Sequence, residues 1–357
     1  MQTLMTSRRR KILLGIAACL LLILAVHWFQ HRALLQEFAF GQIAFVAYDK
    51  ETSTINLMDA QGEHLAGVKS AFRYFGVCCP AWSPDGDQLA YAFSRFEQNN
   101  PASSLESINI LQPTTGQEQS VKCPIQGGTQ CGGRGLWSFQ WSSDGKCFTW
   151  LTKDSTMIFR GVMDVSGKPL DAADSGCEKD NPYRVLNPYS IGLNKDFTFS
   201  PDGRYYLQEV LHMEMKPVKD ESFLVSTSGI SLSCGLKLIT SFAWSSDSSY
   251  LAFTMADMQE SKEDHPLYLL RIIDSITKTL TTGLDVTGQF SWSPDSRWIA
   301  FSAAGPDGNV DIYKVNVETK EVTRLTTDPA QDWDPVWQPA PEHSLARAVA
   351  VNTARGA

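Results

Sequence analysis

Residues 82–86 read WSPDG and residues 292–296 read WSPDS; WSSDG (141–145), FSPDG (199–203) and WSSDS (244–248) stand between them. Five acids in one repeated phrase could form a catalytic or metal-binding set. They could equally be turn chemistry, stamped out once per structural unit. Ser-Pro-Asp-Gly suits a type I turn: Ser opens it, Pro presets φ at the next position, and Asp and Gly come after. The aromatics fall at Trp82, Trp141, Phe199, Trp244 and Trp292, and Trp337 in VWQPA reads as a truncated sixth copy. Their spacings are 59, 58, 45, 48 and 45 residues. A period in the mid-forties fits four short strands with turns, and the two longer intervals hold insertions.

The residues after each motif alternate in size. One column holds Leu89, Phe148, Tyr206, Leu251 and Ile299, and two residues on stand Tyr91, Trp150, Gln208, Phe253 and Phe301. Between them lie Ala90, Thr149, Leu207, Ala252 and Ala300. Large, small, large at period two is a strand with its bulky residues on one face. The small column predicts close approach by a neighbouring sheet. Residues 309–326 predict a further pair, one strand at Val310–Asn316 and one at Glu321–Leu325. An aromatic ahead of each turn would pack between adjacent sheets, at about 1.5–3 kcal/mol per fully buried large side chain. In this frame Asp85, Asp144, Asp202, Asp247 and Asp295 accept nearby backbone N–H groups.

The chain ends complement each other. Residues 43–66 look like the later strands of a unit lacking its first strand, and residues 332–339 supply such a strand with nothing after it. Joined, they complete a sixth unit and leave no open edge. The fold class expected is therefore all-β: a six-bladed β-propeller over residues 41–340, with residues 341–357 as a tail.

The repeated W-S-P-D-G leading into an apolar-Ala-Phe strand, with DIY and LT later in the unit, resembles the TolB-type propeller repeat of bacterial envelope proteins. The resemblance covers about 300 residues. It implies a six-bladed ring, an axial channel and use as a protein-docking platform. A related propeller precedes the catalytic domain of prolyl-oligopeptidase-like peptidases, but no G-x-S-x-G nucleophile elbow occurs here.

The N-terminus differs in kind. Residues 1–11 form a basic region containing Arg8, Arg9, Arg10 and Lys11. Residues 12–29, ILLGIAACLLLILAVHWF, run 18 residues without an acid, Lys or Arg, close to bilayer-spanning length. Residues 30–40 read as a linker. The expectation is a single-pass N-terminal transmembrane helix, basic end cytoplasmic and propeller extracytoplasmic. A cleaved secretory peptide is a second reading. A lipoprotein is a third, because Ile16-Ala17-Ala18-Cys19 resembles a lipobox with Cys19 as the modified residue.

Outside residues 1–32 the chain carries 26 basic and 39 acidic residues, about −13. That sign opposes nucleic-acid binding, which needs a basic surface. Eight cysteines without a CxxC, and scattered histidines, make no zinc site. Cys123 and Cys131 bracket a Gly-rich loop that a disulfide could pin. Vicinal Cys78 and Cys79 are not expected to pair with each other; one of them is expected to reach Cys177 or Cys234. Gly305–Asp311 lacks calcium-loop spacing and reads as a hairpin through Asp307-Gly308.

No catalytic, cofactor or metal set is read from the sequence. Segments ahead of the motif aromatics should reach the mouth of the axial channel, the natural ligand site of this architecture. They supply Arg73, Tyr74, Arg134, Trp137, Asp285, Asp332 and Trp333. The 171–195 insertion adds Tyr183, Arg184 and Tyr189, residue types common as interface anchors. The functional expectation is a non-catalytic, membrane-tethered module that binds a protein partner in the cell envelope. The alternatives are a metal-dependent lyase or hydrolase working in the channel, or a structural subunit of a membrane complex.

Overall fold

A computed structural model describes residues 41–63, 65–72, 75–97, 100–122, 125–126, 129–130, 136–142, 145–153, 158–168, 170, 197–201, 204–212, 219–226, 231–233, 238–256 and 265–340. These residues are all-β. In chain order the strands are β1 (Ile43–Tyr48), β2 (Thr52–Met58), β3 (Ala66–Phe72), β4 (Phe75–Trp82), β5 (Leu89–Glu97), β6 (Asn100–Gln112), β7 (Gln117–Lys122), β8 (Ile125–Gln126), β9 (Thr129–Gln130), β10 (Leu136–Trp141), β11 (Cys147–Lys153) and β12 (Ile158–Asp164). Next come β13 (Phe197–Phe199), β14 (Tyr205–His212), β15 (Lys219–Ser226), β16 (Ser231–Ser233), β17 (Leu238–Trp244), β18 (Tyr250–Ala256), β19 (Tyr268–Arg271), β20 (Ile276–Thr279), β21 (Asp285–Trp292), β22 (Trp298–Ala304), β23 (Val310–Asn316), β24 (Val322–Arg324) and β25 (Gln331–Trp337).

Six antiparallel sheets form blades 1 to 6, in the orders β25-β1-β2-β3, β4–β7, β10–β12, β13–β16, β17–β20 and β21–β24. The β8–β9 hairpin stands apart. Blade 1 takes its innermost strand from the far end of the chain: Ile43 pairs with Trp337 and Ala44 with Val336. Gln338 N then donates to Gln42 O at 2.7 Å, and its side-chain Nε2 donates to the Gly86 carbonyl of blade 2 at 2.8 Å.

The motif turns behave as turns. Ser83 Oγ donates to Asp85 Oδ1 at 2.5 Å, Asp85 Oδ1 accepts Asp87 N at 3.1 Å, and Ser83 Oγ accepts Gln88 N at 2.9 Å. Ser245-Asp247 and Ser293-Asp295 repeat the arrangement. The acids are turn acceptors. Asp144 and Asp202 lie outside the described residues.

The alternation after each turn decides how blades stack. Leu89 and Tyr91 pack toward blade 1, while Ala90 packs toward blade 3 and lies beside Trp141. Ala44 shares a core cluster with Trp82, Ala252 with Trp292 and Ala300 with Trp337 in the same way. Second strands are thus buried on both faces, and the small column makes room for the next blade's tryptophan. Three of these indoles also tie back through the N–H: Trp82 Nε1 donates to Val336 O (3.2 Å), Trp141 to Ala81 O (3.0 Å) and Trp292 to Ala243 O (3.0 Å). Every acceptor is the residue just before the preceding blade's own aromatic. Trp244 Nε1 is buried without a partner among the described residues.

Outer strands add links between blades. Lys278 Nζ reaches Val317 O, and Lys314 Nζ reaches Ala60 O, each at 2.6 Å. Lys69 pairs with Glu118 at 2.9 Å, and Glu118 also accepts the buried Tyr91 hydroxyl.

Candidate functional site

The innermost strands β4, β10, β13, β17, β21 and β25 begin at one mouth of the channel and end in the motif turns at the other. Their ladders are interrupted. Register shifts fall between Cys78 and Ala81, Leu136 and Ser138, Ile239 and Ser241, Thr287 and Phe290, and opposite Ala44–Val46 in β25. A bulge inserts residues that the neighbouring strand cannot pair and re-aims their side chains. Here bulges recur around the channel, and three contain left-handed residues: Cys79 (φ 60°), Gly288 (φ 70°) and Asp334 (φ 53°).

These bulges touch one another. Ser241 Oγ donates to Gly288 O at 3.0 Å, and Gln289 N donates to Asp334 Oδ1 at 3.3 Å. A Cβ on Gly288 would stand 3.0 Å from Asp334 Oδ1, so glycine serves both the backbone and the neighbouring acid. Burial pushes the Asp334 carboxyl above the usual carboxylate range. Tyr48, by burial and then by proximity to Asp334, has its phenol pushed up to about 12.

Cys78 and Cys79 are joined to each other by a disulfide, which corrects the expectation that they pair elsewhere. Neighbours on a regular strand point to opposite faces; the left-handed Cys79 removes that alternation. Cys147 is also disulfide-bonded. Cys123 and Cys131 lie outside the described residues, on either side of the β8–β9 hairpin.

The mouth where the innermost strands begin is acidic across blades 6 and 1. Asp285 opens β21 and accepts His265 Nδ1 at 2.8 Å and His265 N at 3.2 Å. Asp307 and Asp311 share Arg324: its Nη2 lies 3.1 Å from Asp307 Oδ2 and also contacts Asp311 Oδ2. Asp311 is fully buried, and burial lifts its carboxyl despite the guanidinium; Asp307, bound by Arg324 at the surface, is lowered. The loop at 305–311 is the expected hairpin, with Gly305 N bonded to Asn309 O at 3.0 Å. A guanidinium stands where a calcium reading would want an ion. Asn309 Nδ2 holds Asp328 O (3.0 Å) and Ala330 O (2.9 Å), tying this loop to the entry of β25.

Of the residues expected at the mouth, Asp332 and Trp333 lie on β25, and Asp285 begins β21. Asp332 is not a mouth group: it is fully buried, under the interface of blades 1 and 6. That corrects its assignment to partner binding, because a side chain pointing between blades cannot meet a partner. Trp333 is half-buried beside Gly288. Trp137 falls at the β10 bulge, where only its backbone is described. Arg73, Tyr74, Arg134, Tyr183, Arg184 and Tyr189 lie outside the described residues.

Sequence reasoning missed Arg324, Asp311 and Asp334. Asp311 sits in the quoted DIY segment, but nothing local marks it as buried. Among the described residues no three His, Cys, Asp or Glu side chains are grouped to hold a metal ion. Among the same residues no helix is long and apolar enough to cross a membrane, and segment 12–29 lies outside them.

No known protein family matches the chain, and no curated protein matches it. Solved structures do. The chain is similar to TolB from Acinetobacter baumannii, with a TM-score of 0.55 and 18% identity, over 84% of this chain and 67% of that one. It is similar to a chain of a nidogen/laminin complex at 0.52 and 9% identity, over 84% and 98%. It also matches Kuenenia stuttgartiensis hydrazine synthase at 0.51 and 14% identity, over 85% and 48%. The chain has a TolB-like β-propeller fold.

Proposed function

We propose, starting from a TolB-like propeller, that this chain is a membrane-tethered, extracytoplasmic scaffold that docks a protein partner of the cell envelope, without catalysis. The observation carrying the reading is the asymmetry between the two mouths of the channel. At the motif end, side chains are spent on repeated turns. At the opposite end the residues do not repeat: Asp285 with His265, the Asp307–Arg324–Asp311 group, and Trp333. Rigid strands present them, and unlike loops on a rigid frame are where recognition concentrates. An acidic rim beside an aromatic suits a partner segment carrying Lys or Arg.

Site-specific photo-cross-linking of the full chain in native membranes tests this. A cross-linker replacing Asp285, at the non-repeating mouth, should capture a discrete protein. One replacing Asp87, in a motif turn, should not. Equal capture from both positions, or none from Asp285, would sink the docking assignment. The competing enzyme reading needs a metal in the channel, and elemental analysis of the purified chain would reveal it as a stoichiometric divalent ion.

A further inference from the structure

Asp332 breaks the repeat. Four residues further along the second strand from Ile43, Leu89, Phe148, Leu251 and Ile299 stand Ala47, Phe93, Thr152, Met255 and Ala303. Their partners on the innermost strands are Asp332, Val77, Leu136, Ile239 and Val286. Four of these five positions are aliphatic, and Val77 and Val286 are 0% and 4% exposed. The strand that closes the ring puts a carboxylate there instead. It is 0% exposed, and among the described residues neither oxygen has a hydrogen-bond partner.

The surroundings do not answer its charge. The Thr326 hydroxyl lies beside it, accepts Ile312 N at 2.9 Å, and offsets only part of the cost of burying the carboxyl. Among the elements packed on β25, β1 carries Tyr48, β21 carries Asp285, and β23 carries Asp311, Tyr313 and Lys314. Lys314 Nζ is turned away to Ala60 O. Arg324 is committed to Asp307 and Asp311. The segment after β24 brings Asp328, β25 itself carries Asp334, and β4 and β22 hold no ionisable side chain beyond the Cys78–Cys79 disulfide. The acids that act on Asp332 are Asp328 and Asp311. An ionised carboxylate so placed would be buried, unpaired and repelled. With no third donor side chain grouped among the described residues, a metal shell is not formed either.

We propose that closure of the ring is proton-linked: Asp332 holds a proton while β25 is docked between blades 1 and 6, and loss of that proton to solvent loosens the closing strand. Burial, opposed in smaller measure by the Thr326 hydroxyl and helped by Asp328 and Asp311, pushes this carboxyl from 3.8 up to about 7. The undocked strand therefore gives up its proton at lower pH than the docked one. The preference for the closed ring is greatest in acid, falls as pH rises from about 4 to about 7, and levels off above that. Between pH 5 and pH 8 the shift corresponds to a loss on the order of a hundredfold in the closing equilibrium.

Hydrogen exchange of the β25 amides in the full chain, corrected for intrinsic rates, measures it. The opening equilibrium should rise about a hundredfold from pH 5 to pH 8. Asp332→Asn and Asp332→Val, the latter restoring the residue of Val77 and Val286, should each abolish that rise and slow exchange at pH 8. An opening equilibrium that does not change with pH in the unaltered chain overturns the proposal. So does the same rise persisting in Asp332→Val. A third refuting result is protection at pH 8 by calcium, magnesium or potassium that disappears in Asp332→Asn, because the occupant would then be a cation.

Discussion

Replacing Trp292 by Phe should destabilise the propeller more than replacing Trp244 by Phe, and the difference isolates one hydrogen bond between blades. Trp292 Nε1 donates to Ala243 O at 3.0 Å, whereas Trp244 Nε1 is buried with no acceptor among the described residues. Both substitutions delete the same atoms. At Trp292 the change also leaves a carbonyl without its donor, so the excess cost is about 1–2 kcal/mol, from the net worth of a hydrogen bond and the penalty for an unmet group. At Trp244 the change removes an orphaned donor and recovers part of what the lost ring volume costs. The repeat already contains this substitution, since Phe199 stands at the equivalent position. Chemical denaturation of the purified variants gives both values. A benzothienylalanine at each position keeps the bicyclic shape and removes only the N–H; it should reproduce the difference with the volume loss eliminated. If Trp244→Phe costs as much as Trp292→Phe, and the sulfur analogues behave alike, the indole N–H is not a tie between blades.

The packing sets two further outcomes. Arg324→Met should cost about 3 kcal/mol or more, because it strands the buried Asp311 carboxylate, and adding Asp311→Asn should recover most of it; additive losses in a double-mutant cycle would argue against the pair. Ala300→Leu should cost about 1–3 kcal/mol by overpacking against Trp337, seen as a lower denaturation midpoint, whereas an exposed change such as Glu318→Gln should leave the midpoint in place.

Much of the architecture was legible because it is written as a repeat. The spacing of the motif aromatics, the large-small-large strands and the complementary chain ends lead to six sheets with β25 paired to β1. The strand expected at Val310–Asn316 has those bounds, while its partner is shorter than expected, Val322–Arg324. The motif acids, legible as turn acceptors, are that at Asp85, Asp247 and Asp295. What alternation could not show is where it fails. A bulge adds residues that belong to neither face, and Cys79-Pro80 and Asp334-Pro335 read in sequence as ordinary strand. The Cys78–Cys79 pairing was misjudged for that reason.

The candidate site was less legible, because its parts are defined by what surrounds them. Asp332 was named from its place ahead of Trp337, yet its burial follows from register. Aligned with Val77, which stands at the same distance ahead of its tryptophan, it is a polar residue at an aliphatic position, and only the strand register shows that Val286, one residue further from Trp292, belongs to the same column. Arg324 and Asp311 are 13 residues apart and meet only because β23 and β24 are neighbours.

By itself, then, the sequence determined the repeat unit, its turns and the way the ring shuts, since these depend on short-range backbone preferences and on the period of apolar residues. The tertiary structure decided which of the described acids are solvated, which are neutralised by Arg324, and that Asp332 is buried between two blades with no basic partner among the described residues. Charge burial depends on atoms brought in from distant strands, and no local pattern encodes that distance.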